Sequence, residues 1–238
     1  MDFTFGIVTS GLNDRFLSII INDIKCLNIP NYEIIIVGGN TEFDGVKHIK
    51  FDERQKPMWI TKKKNIITEN SIYENIVYTH DYITFDKKWY EEFLKFGNDF
   101  DVCMNRINNS DGSRYRDWVL WPGDPSWEQQ NGHYNNIQIN NFISDFIIPY
   151  SFKELSKFMY ISGAYWVSKK DIMMEFPINE NLIWGQGEDV DWSMRVRSKY
   201  IFSINEKSEV NLLKYKDKIF NIATEESISE LIKKLDLK

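Results

Sequence analysis

Two short runs of almost entirely apolar residues, joined by a helical pattern, place the strongest limit on how this chain folds. The runs are FTFGIV, from Phe3 to Val8, and YEIIIV, from Tyr32 to Val37. Between them apolar residues recur at helical spacing from position 13 to 27, which predicts a helix with Asn13 or Asp14 as its N-cap. Strands that are apolar throughout are buried on both faces. We therefore predict an α/β fold with a mostly parallel central sheet flanked by helices.

Further elements follow from the same kind of pattern. Strands are predicted at 46–51, 75–79, 100–104, 160–167 and 200–204, and helices at 62–73, 89–96, 169–175 and 225–237. In parallel sheets ligands bind beyond the carboxyl ends of the strands. The turns after the first two strands therefore predict one binding edge, although turn formation alone also explains their glycines. The residues concerned are Thr9, Ser10, Gly38, Gly39 and Asn40.

An acidic stretch at 181–200, NLIWGQGEDVDWSMRVRSKY, contains the densest group of candidate catalytic residues. A glycine-punctuated loop beginning at Trp184 leads into Glu188, Asp189 and Asp191. One interpretation is a helix whose first turn is acidic, because carboxylates are favoured near the unpaired amides of a helix N-terminus. The other is that Asp189 acts as a general base, with its pKa raised by the neighbouring like charges.

The stretch resembles the WGxGED-type acceptor motif of glycosyltransferases with the GT-A fold, of the family-2-like bacterial and viral kind and, more distantly, of the β-1,4-galactosyltransferases. In that motif the first Asp takes the proton from the attacking hydroxyl, which implies Asp189 as base with Glu188 beside it. The resemblance implies that Trp184, Gly187 and Asp191 line the acceptor site. An Arg four residues after the last Asp is also common, and here it is Arg195.

The same resemblance implies a donor site in the first half of the chain. The turns with Thr9, Ser10, Gly38, Gly39 and Asn40 correspond to those that hold the base and ribose of a nucleotide sugar. The run Lys62-Lys63-Lys64-Asn65 corresponds to a basic residue followed by Asn that reaches the diphosphate, and this implies Lys63, Lys64 and Asn65 as donor contacts. Taken alone, three lysines are typical of a solvated face.

His80-Asp81-Tyr82 follows the strand at 75–79, where GT-A enzymes carry an Asp-x-Asp motif that holds a divalent metal between the donor phosphates. Tyr82 occupies the place at which many relatives have the last Asp. The resemblance implies Asp81 and His80 as oxygen and nitrogen ligands of Mn²⁺ or Mg²⁺. The alternative is that Asp81 caps a helix that starts near Asp86.

Regular periodicity is lost over 106–150, which is rich in Trp, Asn, Gly and Pro. A segment of this length inside a compact domain is usually functional. We predict an insertion that walls the acceptor side, with Arg114, Arg116, Asp117 and Trp118 near its working end; a dimer contact is the alternative. Ser162 and Gly163, in the strand at 160–167, are predicted to face the acidic stretch. In the resembled enzymes a small pair there leaves room for the transferred sugar.

Composition narrows the class of protein. The net charge of −6 argues against a nucleic-acid binder. Aromatic residues make up 15% of the chain, an excess that is often found on carbohydrate-binding surfaces. Cys26 and Cys103 are predicted to be reduced core thiols. Neither a signal peptide nor an apolar run of about 18 residues is present, which predicts a cytoplasmic protein without a membrane span.

These observations lead to one principal hypothesis and two alternatives. The principal one is a single GT-A domain of 238 residues, with a donor half at 1–105 and an acceptor half at 106–238. It would be an inverting hexosyl- or pentosyltransferase that moves a sugar from a UDP- or GDP-sugar to a hydroxyl of a glycan. A sugar-nucleotidyltransferase is one alternative, although the turn after the first strand lacks the glycine-rich basic loop of that class. The other is a catalytically inactive sugar- or nucleotide-binding module.

Overall fold

The computed structural model describes residues 1–120, 138–139, 142–143, 146–217 and 222–234. The described residues form an eight-stranded sheet in the order β3-β2-β1-β4-β12-β6-β13-β5. The strands, numbered along the chain, are β1 (Phe3–Val8), β2 (Tyr32–Val37), β3 (Lys47–Ile49), β4 (Asn75–His80), β5 (Ile83–Phe85), β6 (Val102–Asn108), β7 (Val119–Leu120), β8 (Gln138–Ile139), β9 (Phe142–Ile143), β10 (Phe146–Ile147), β11 (Met159–Tyr160), β12 (Tyr165–Lys169) and β13 (Phe202–Leu212). The helices are α1 (Asp14–Lys25), α2 (Ile60–Asn70), α3 (Trp89–Phe96), α4 (Lys170–Glu175), α5 (Glu188–Val196) and α6 (Glu225–Lys234).

The predicted parallel core is confirmed. β1 pairs in parallel with β2 on one side and with β4 on the other, and every residue of β1 and β4 is buried. β12 is antiparallel to both of its neighbours, β4 and β6. β6 and β13 therefore run in the same direction as β1, and the carboxyl ends of most strands meet at one edge. Because β12 lies between β4 and β6, both predicted halves of the chain contribute to this one sheet.

The structure corrects the prediction for the last strand. The strand predicted at 200–204 continues to Leu212, through a stretch that sequence analysis treated as a charged connection. A break in the pairing with β6 between Asn205 and Val210 leaves Glu206 and Lys207 exposed. Bulges of this kind hide a strand from an alternation pattern. Beyond the bulge, β13 also pairs with β5.

The strand predicted at 160–167 is in fact two strands separated by a tight turn. β11 ends at Tyr160 and β12 begins at Tyr165, whose N–H donates to the carbonyl oxygen of Ser162 at 3.0 Å. The turn carries Gly163 to the carboxyl-end edge of the sheet, because Tyr165 lies opposite Thr79 near the end of β4.

Much of the aromatic content belongs to the core. Trp89, Trp118, Trp166 and Trp192 are each no more than 1% exposed. The aromatic excess therefore serves packing at these four positions rather than a sugar-binding surface. The cysteine prediction is half right, since Cys103 is buried but Cys26, the C-cap of α1, is exposed. Among the described residues, no helix combines the length and hydropathy that crossing a bilayer requires.

Candidate active site

A cleft of about 170 Å³ opens at the carboxyl ends of β1 and β4. It brings together residues from the predicted donor half and Trp184 from the acidic stretch. Its lining residues are Val8, Thr9, Ser10, Glu53, Met58, Ile60, Lys63, His80, Asp81 and Trp184. Residues more than 100 positions apart in the chain thus meet at the edge where the parallel-sheet rule predicts a ligand.

Asp81 lies at the floor of the cleft and is 5% exposed. Its Oδ2 accepts a hydrogen bond from Thr9 Oγ1 at 2.7 Å, and its Oδ1 accepts one from Asn13 Nδ2 at 3.0 Å. Asn13 is the N-cap of α1, yet its side chain makes no capping bond. The helix-capping alternative for Asp81 is wrong, because α3 starts at Trp89 and it is Asp86 that accepts from the nearby Lys88 N–H, at 2.8 Å.

The turn after β2 packs against the turn after β1. Gly38 has a φ of 97°, and a Cβ at this position would lie 2.1 Å from the carbonyl oxygen of Thr9. Only glycine fits such an approach. Gly39 is half-buried and Asn40 is exposed, and none of the three lines the cleft. Backbone geometry explains Gly38, and the donor contacts of Gly38, Gly39 and Asn40 remain predictions.

The lysines at the start of α2 are not a solvated face. Lys63 is 2% exposed, and its Nζ donates to the carbonyl oxygen of Thr9 at 2.7 Å and to Glu53. Lys64 is 1% exposed, and its Nζ donates to the carbonyl oxygen of Gly163 at 2.8 Å. Burial lowers the pKa of Lys64, while Glu188 and Asp189 act to raise it. Lys63 therefore lies at the cleft and Lys64 beneath the acidic helix.

Asn65 does not lie at the cleft. Its Nδ2 donates to the carbonyl oxygen of Ile178 and to Glu180, both at 2.9 Å, and its Oδ1 accepts from the N–H of Ile178 at 2.9 Å. The structure thus corrects the predicted donor contact of Asn65, because its amide holds the segment that leads into the Trp184 loop.

The acidic stretch forms the loop and helix that the sequence predicted. Gly187 is the N-cap of α5 in a left-handed conformation with a φ of 71°, which favours glycine. Trp184 is 51% exposed, and its backbone N–H donates to the carbonyl oxygen of Met58 at 3.1 Å. This bond ties the loop to the segment before α2 and leaves the indole at the cleft.

Asp189 faces the turn between β11 and β12. Its Oδ2 accepts from the Gly163 N–H at 3.0 Å and from Arg116 Nη2 at 3.4 Å, and Arg116 also donates to the hydroxyl of Tyr160 at 3.2 Å. A Cβ on Gly163 would lie 3.0 Å from Asp189 Oδ2 and 3.1 Å from Glu188 Oε1. The prediction that Ser162 and Gly163 face the acidic residues is confirmed for Gly163; Ser162 is buried beside it.

Glu188 is the more deeply buried acid of the pair, at 5% exposure. Burial, and secondarily the neighbouring carboxylate of Asp189, raises the pKa of Glu188 to about 7. Lys64 and Arg116 act in the opposite direction. The two acids thus offer one carboxylate held by hydrogen-bond donors and one group that titrates near neutrality, a combination found at proton-transfer sites.

Asp191 and Trp118 were both predicted to contact the acceptor, and for Asp191 this stays a prediction. Asp191 pairs with Arg195 across one helical turn at 3.0 Å, and Arg195 also donates to the carbonyl oxygen of Pro177. Trp118 is 1% exposed and belongs to the main core, so its ring has no face for a sugar. The predicted acceptor contact of Trp118 is therefore wrong, because its indole packs inward instead of lining a wall. Trp121, Trp127 and His133, in the same predicted insertion, lie outside the described residues.

Near Trp118, the pair formed by Arg114 and Asp117 is structural. Asp117 is fully buried and accepts from Arg114 Nε at 2.8 Å and from the hydroxyl of Tyr150 at 2.6 Å. Only Arg116, of the polar residues predicted at the working end of the insertion, reaches the acidic pair.

The predicted metal ligands, His80 and Asp81, do not fit a divalent-cation site. Nε2 of His80 is buried without a hydrogen-bond partner in the described structure. Burial, followed by the positive charges of Lys64, Lys216 and Lys214, holds the pKa of His80 well below its ordinary value. Asp81 is the one carboxylate of the predicted pair, and both of its oxygens already accept hydrogen bonds. Glu53 also lines the cleft, but its carboxylate is paired with Lys63. Within the described ranges, no group of three His, Cys, Asp or Glu side chains converges as metal ligands. Carboxylates that are already engaged by hydrogen-bond donors or by a lysine, with further lysines close to His80, do not fit the preferences of a hard divalent ion.

Two lysines that the sequence did not indicate as site residues follow β13. Lys214 and Lys216 lie near His80 and Asp81 because β13 ends at the same edge of the sheet as β1 and β4. Had β13 been predicted at its full length, the carboxyl-end rule would have indicated these residues.

Comparison with known proteins defines the class of fold. No protein-family model and no curated protein matches the sequence. Among solved structures, GalNAc-T7 with UDP, GalNAc and Mn²⁺ is similar with a TM-score of 0.61 at 11% identity, covering 99% of this chain and 48% of that one. S. aureus TarS 1-349 in complex with UDP-GlcNAc is similar with a TM-score of 0.54 at 11% identity, covering 96% and 61%. TarS 1-349 alone gives a TM-score of 0.53 at 11% identity, covering 99% and 64%.

The chain thus has the mixed α/β GT-A fold of glycosyltransferases, as the sequence predicted. It spans between 48% and 64% of the length of these structures.

Proposed function

We propose that this protein is an inverting glycosyltransferase that moves a hexosyl or pentosyl group from a UDP- or GDP-sugar to a hydroxyl of a glycan. The observation that carries the proposal is the position of Asp189. Its carboxylate faces Gly163 at the carboxyl-end edge of a GT-A fold, next to a cleft lined by Asp81 and Trp184. A base on one side of the sugar and a donor cleft on the other are the two elements that an inverting displacement needs.

Asp189 is the general base. Oδ2 of Asp189 accepts the proton of the acceptor hydroxyl while that oxygen forms a bond to the anomeric carbon. The bond from the anomeric carbon to the diphosphate oxygen breaks, and its electron pair leaves with the nucleoside diphosphate. The N–H of Gly163 and the guanidinium of Arg116 hold the carboxylate in place, at 3.0 Å and 3.4 Å. A base fixed by its neighbours loses little entropy when the acceptor arrives.

The remaining acceptor contacts follow from the same geometry. Glu188 orients the acceptor through its carboxyl group, and Trp184 offers a half-exposed indole on which a sugar ring packs. Gly163 and Ser162 form a surface without a protruding side chain, where a Cβ would collide with the acids. Asp191 contributes through its pair with Arg195, which stabilises the helix that presents Asp189.

The donor occupies the cleft between the turns after β1 and β4. Thr9, Ser10 and Asp81 offer a hydroxyl-rich, acidic floor that suits the ribose of a nucleotide, and Lys63 adds a cation at the side. The similar structures of TarS and GalNAc-T7 contain UDP-GlcNAc and UDP, respectively, which makes UDP-sugars the first donors to test. No step of the mechanism is assigned to a divalent cation, because His80 and Asp81 do not fit one.

The test combines binding with turnover. Thermal unfolding is followed with UDP, GDP and their sugars, each in EDTA and in Mn²⁺, because a ligand that binds the native state raises the melting temperature. Any sugar nucleotide that binds is then incubated with glycan acceptors, and release of the nucleoside diphosphate is measured. Binding without release in any pairing would favour an inactive module. Pyrophosphate release from a nucleoside triphosphate and a sugar phosphate would favour a nucleotidyltransferase.

A further inference from the structure

A pair of lysines after the last strand of the sheet packs against Tyr82. Nζ of Lys214 lies 4.3 Å from the centroid of the Tyr82 ring, and Nζ of Lys216 lies 4.6 Å from it. Both distances fall within the range of about 6 Å at which a ring attracts an ammonium group. In the part of the chain that the structure describes, neither lysine forms a salt bridge. Two cations thus share one aromatic ring, and no carboxylate among the described residues pairs with either of them.

Backbone contacts fix this arrangement. The N–H of Leu213 donates to the carbonyl oxygen of Tyr82 at 2.8 Å. Asn109, 2% exposed, clamps the backbone of Lys216 from both sides: its Nδ2 donates to the carbonyl oxygen at 2.6 Å, and its Oδ1 accepts from the N–H at 2.9 Å. The main chain that carries the two lysines is therefore held beside Tyr82, so their side chains extend over the ring from a fixed backbone.

The charge around the lysines is strongly positive. Burial, then the neighbouring charges of Lys214 and Arg116, lowers the pKa of Lys216, and only Asp81 acts to raise it. Asp81 is already engaged by the neutral donors Thr9 and Asn13. Half-buried cations that form no salt bridge with any residue the structure describes create a favourable potential for an incoming anion.

Tyr82 directly follows Asp81, which lines the cleft. It also occupies the place at which the resembled enzymes carry the last Asp of the metal-binding motif. The position that would bring a carboxylate and a metal thus brings an aromatic ring and two ammonium groups. The net effect on a nearby phosphate is similar, because both arrangements present positive charge to it.

We propose that Lys214 and Lys216 bind the diphosphate of the nucleotide-sugar donor and stabilise the charge that develops on it as the sugar departs, in place of a divalent cation. The inference rests on the proposed function for the identity of the anion. Ammonium groups hydrogen-bonded to phosphate oxygens are among the stronger polar contacts in proteins. It follows that the protein binds nucleoside diphosphates without metal.

The test uses pyrophosphate, UDP and GDP as probes in isothermal titration calorimetry, each in EDTA and in Mn²⁺. The variant is the double substitution Lys214→Met and Lys216→Met, which removes both charges and keeps side-chain length. Lys207→Met is the matched control, since Lys207 is exposed in the bulge of the same strand. Lys214→Arg with Lys216→Arg preserves the charges and shows whether they, and not the fold, are responsible.

The expected result is that wild type binds at least one probe equally in EDTA and Mn²⁺, and that the double Met variant binds it about tenfold or more weakly. The Lys207→Met protein should match wild type, and the double Arg variant should keep most of the affinity. Unchanged affinity in the double Met variant, a strict need for Mn²⁺, or no binding of any probe to wild type would each overturn the proposal. If the double Met variant loses pyrophosphate binding and the wild-type protein transfers no sugar, the anion site is upheld and the glycosyltransferase assignment is rejected.

Discussion

Oγ1 of Thr9 donates a 2.7 Å hydrogen bond to Oδ2 of Asp81, and the bond joins the turn after β1 to the turn after β4. Both residues are buried and both line the cleft. Oγ1 of Thr9 also accepts a hydrogen bond from the N–H of Gly11 at 2.9 Å. One hydroxyl thus orients the carboxylate and shapes the loop beside it, so the geometry of the cleft floor depends on this hydroxyl.

Replacement of Thr9 by Val removes this hydroxyl and keeps the shape of the side chain. We expect the dissociation constant of the nucleoside diphosphate to rise about tenfold, because a hydrogen bond to a charged group contributes about 1.5–3 kcal/mol. Titration calorimetry measures this dissociation constant. Thr4→Val is the matched control, since Thr4 on the same strand donates to Glu33 at 2.6 Å, away from the cleft. If Thr4→Val weakens nucleotide binding as much as Thr9→Val does, the effect is a general loss of stability.

Replacement of Asp189 by Asn should lower sugar transfer by about two to four decades, the usual contribution of a general base. An amide keeps the size of the side chain but accepts no proton. Donor affinity should stay at the wild-type value, which calorimetry checks alongside the transfer rate. Glu188→Gln should lower the rate of transfer less than Asp189→Asn does, because an amide partly replaces an acid that orients the acceptor. Near wild-type turnover in Asp189→Asn would identify Asp189 as a structural residue of the helix N-terminus.

The raised pKa of Glu188 predicts how stability depends on pH. The carboxyl group stays protonated in the folded protein up to about pH 7, above its ordinary value near 4.5. Its contribution to stability is therefore complete at low pH and is lost as pH rises from about 4.5 through 7. The free energy of unfolding of wild type relative to Glu188→Gln should fall over this range by up to about 3 kcal/mol. Urea denaturation of both proteins at several pH values measures the difference, and a constant difference would contradict the prediction.

The parallel core was predictable from the sequence because it depends on local pattern. β1 and β2 coincide with their apolar runs, and the WGxGED stretch forms the predicted loop and helix. Predicting these features requires only the local pattern of apolar residues or a resemblance within one short stretch. The rule that ligands bind at strand ends predicted a binding edge that includes Thr9, and the resemblance to GT-A enzymes added Asp81 after the strand at 75–79.

The features that sequence analysis missed depend on tertiary contacts. A bulge hides the second half of β13, and with it the lysines over Tyr82. Burial of Trp118 is also non-local, since a tryptophan in a segment without periodicity looks the same whether its ring faces the core or a ligand. Asn65 was assigned to the donor by resemblance, yet its partners are 113 and 115 positions away.

Gly163 tests whether space beside the acids matters. In Gly163→Ala the new methyl group would lie 3.0 Å from Asp189 Oδ2 and 3.1 Å from Glu188 Oε1, so the acids have to move. We expect transfer to fall by about 100-fold, since small displacements of catalytic groups cost about that much. Gly112→Ala is the control, because Gly112 has open space around it and a φ of 78°, so the alanine there adds backbone strain alone. Equal losses of transfer in both variants would attribute the effect to stability.

Trp184 and Trp118 provide the last test, because alanine at Trp184 should change acceptor binding and alanine at Trp118 should change stability. Trp184 is 51% exposed and lines the cleft, whereas Trp118 is 1% exposed in the core. In Trp184→Ala the acceptor loses an apolar surface worth about 1–3 kcal/mol, by analogy with other aromatic anchors. The KM for acceptor should therefore rise by about one order of magnitude or more, with donor hydrolysis by water and the melting temperature nearly unchanged.

Trp118→Ala should instead lower the melting temperature by several degrees, because removing a buried indole costs about 3–5 kcal/mol. Acceptor saturation curves at fixed donor, with a hydrolysis control, measure the first effect. A rise in the donor dissociation constant without a change in acceptor KM would assign Trp184 to the nucleotide instead of the acceptor.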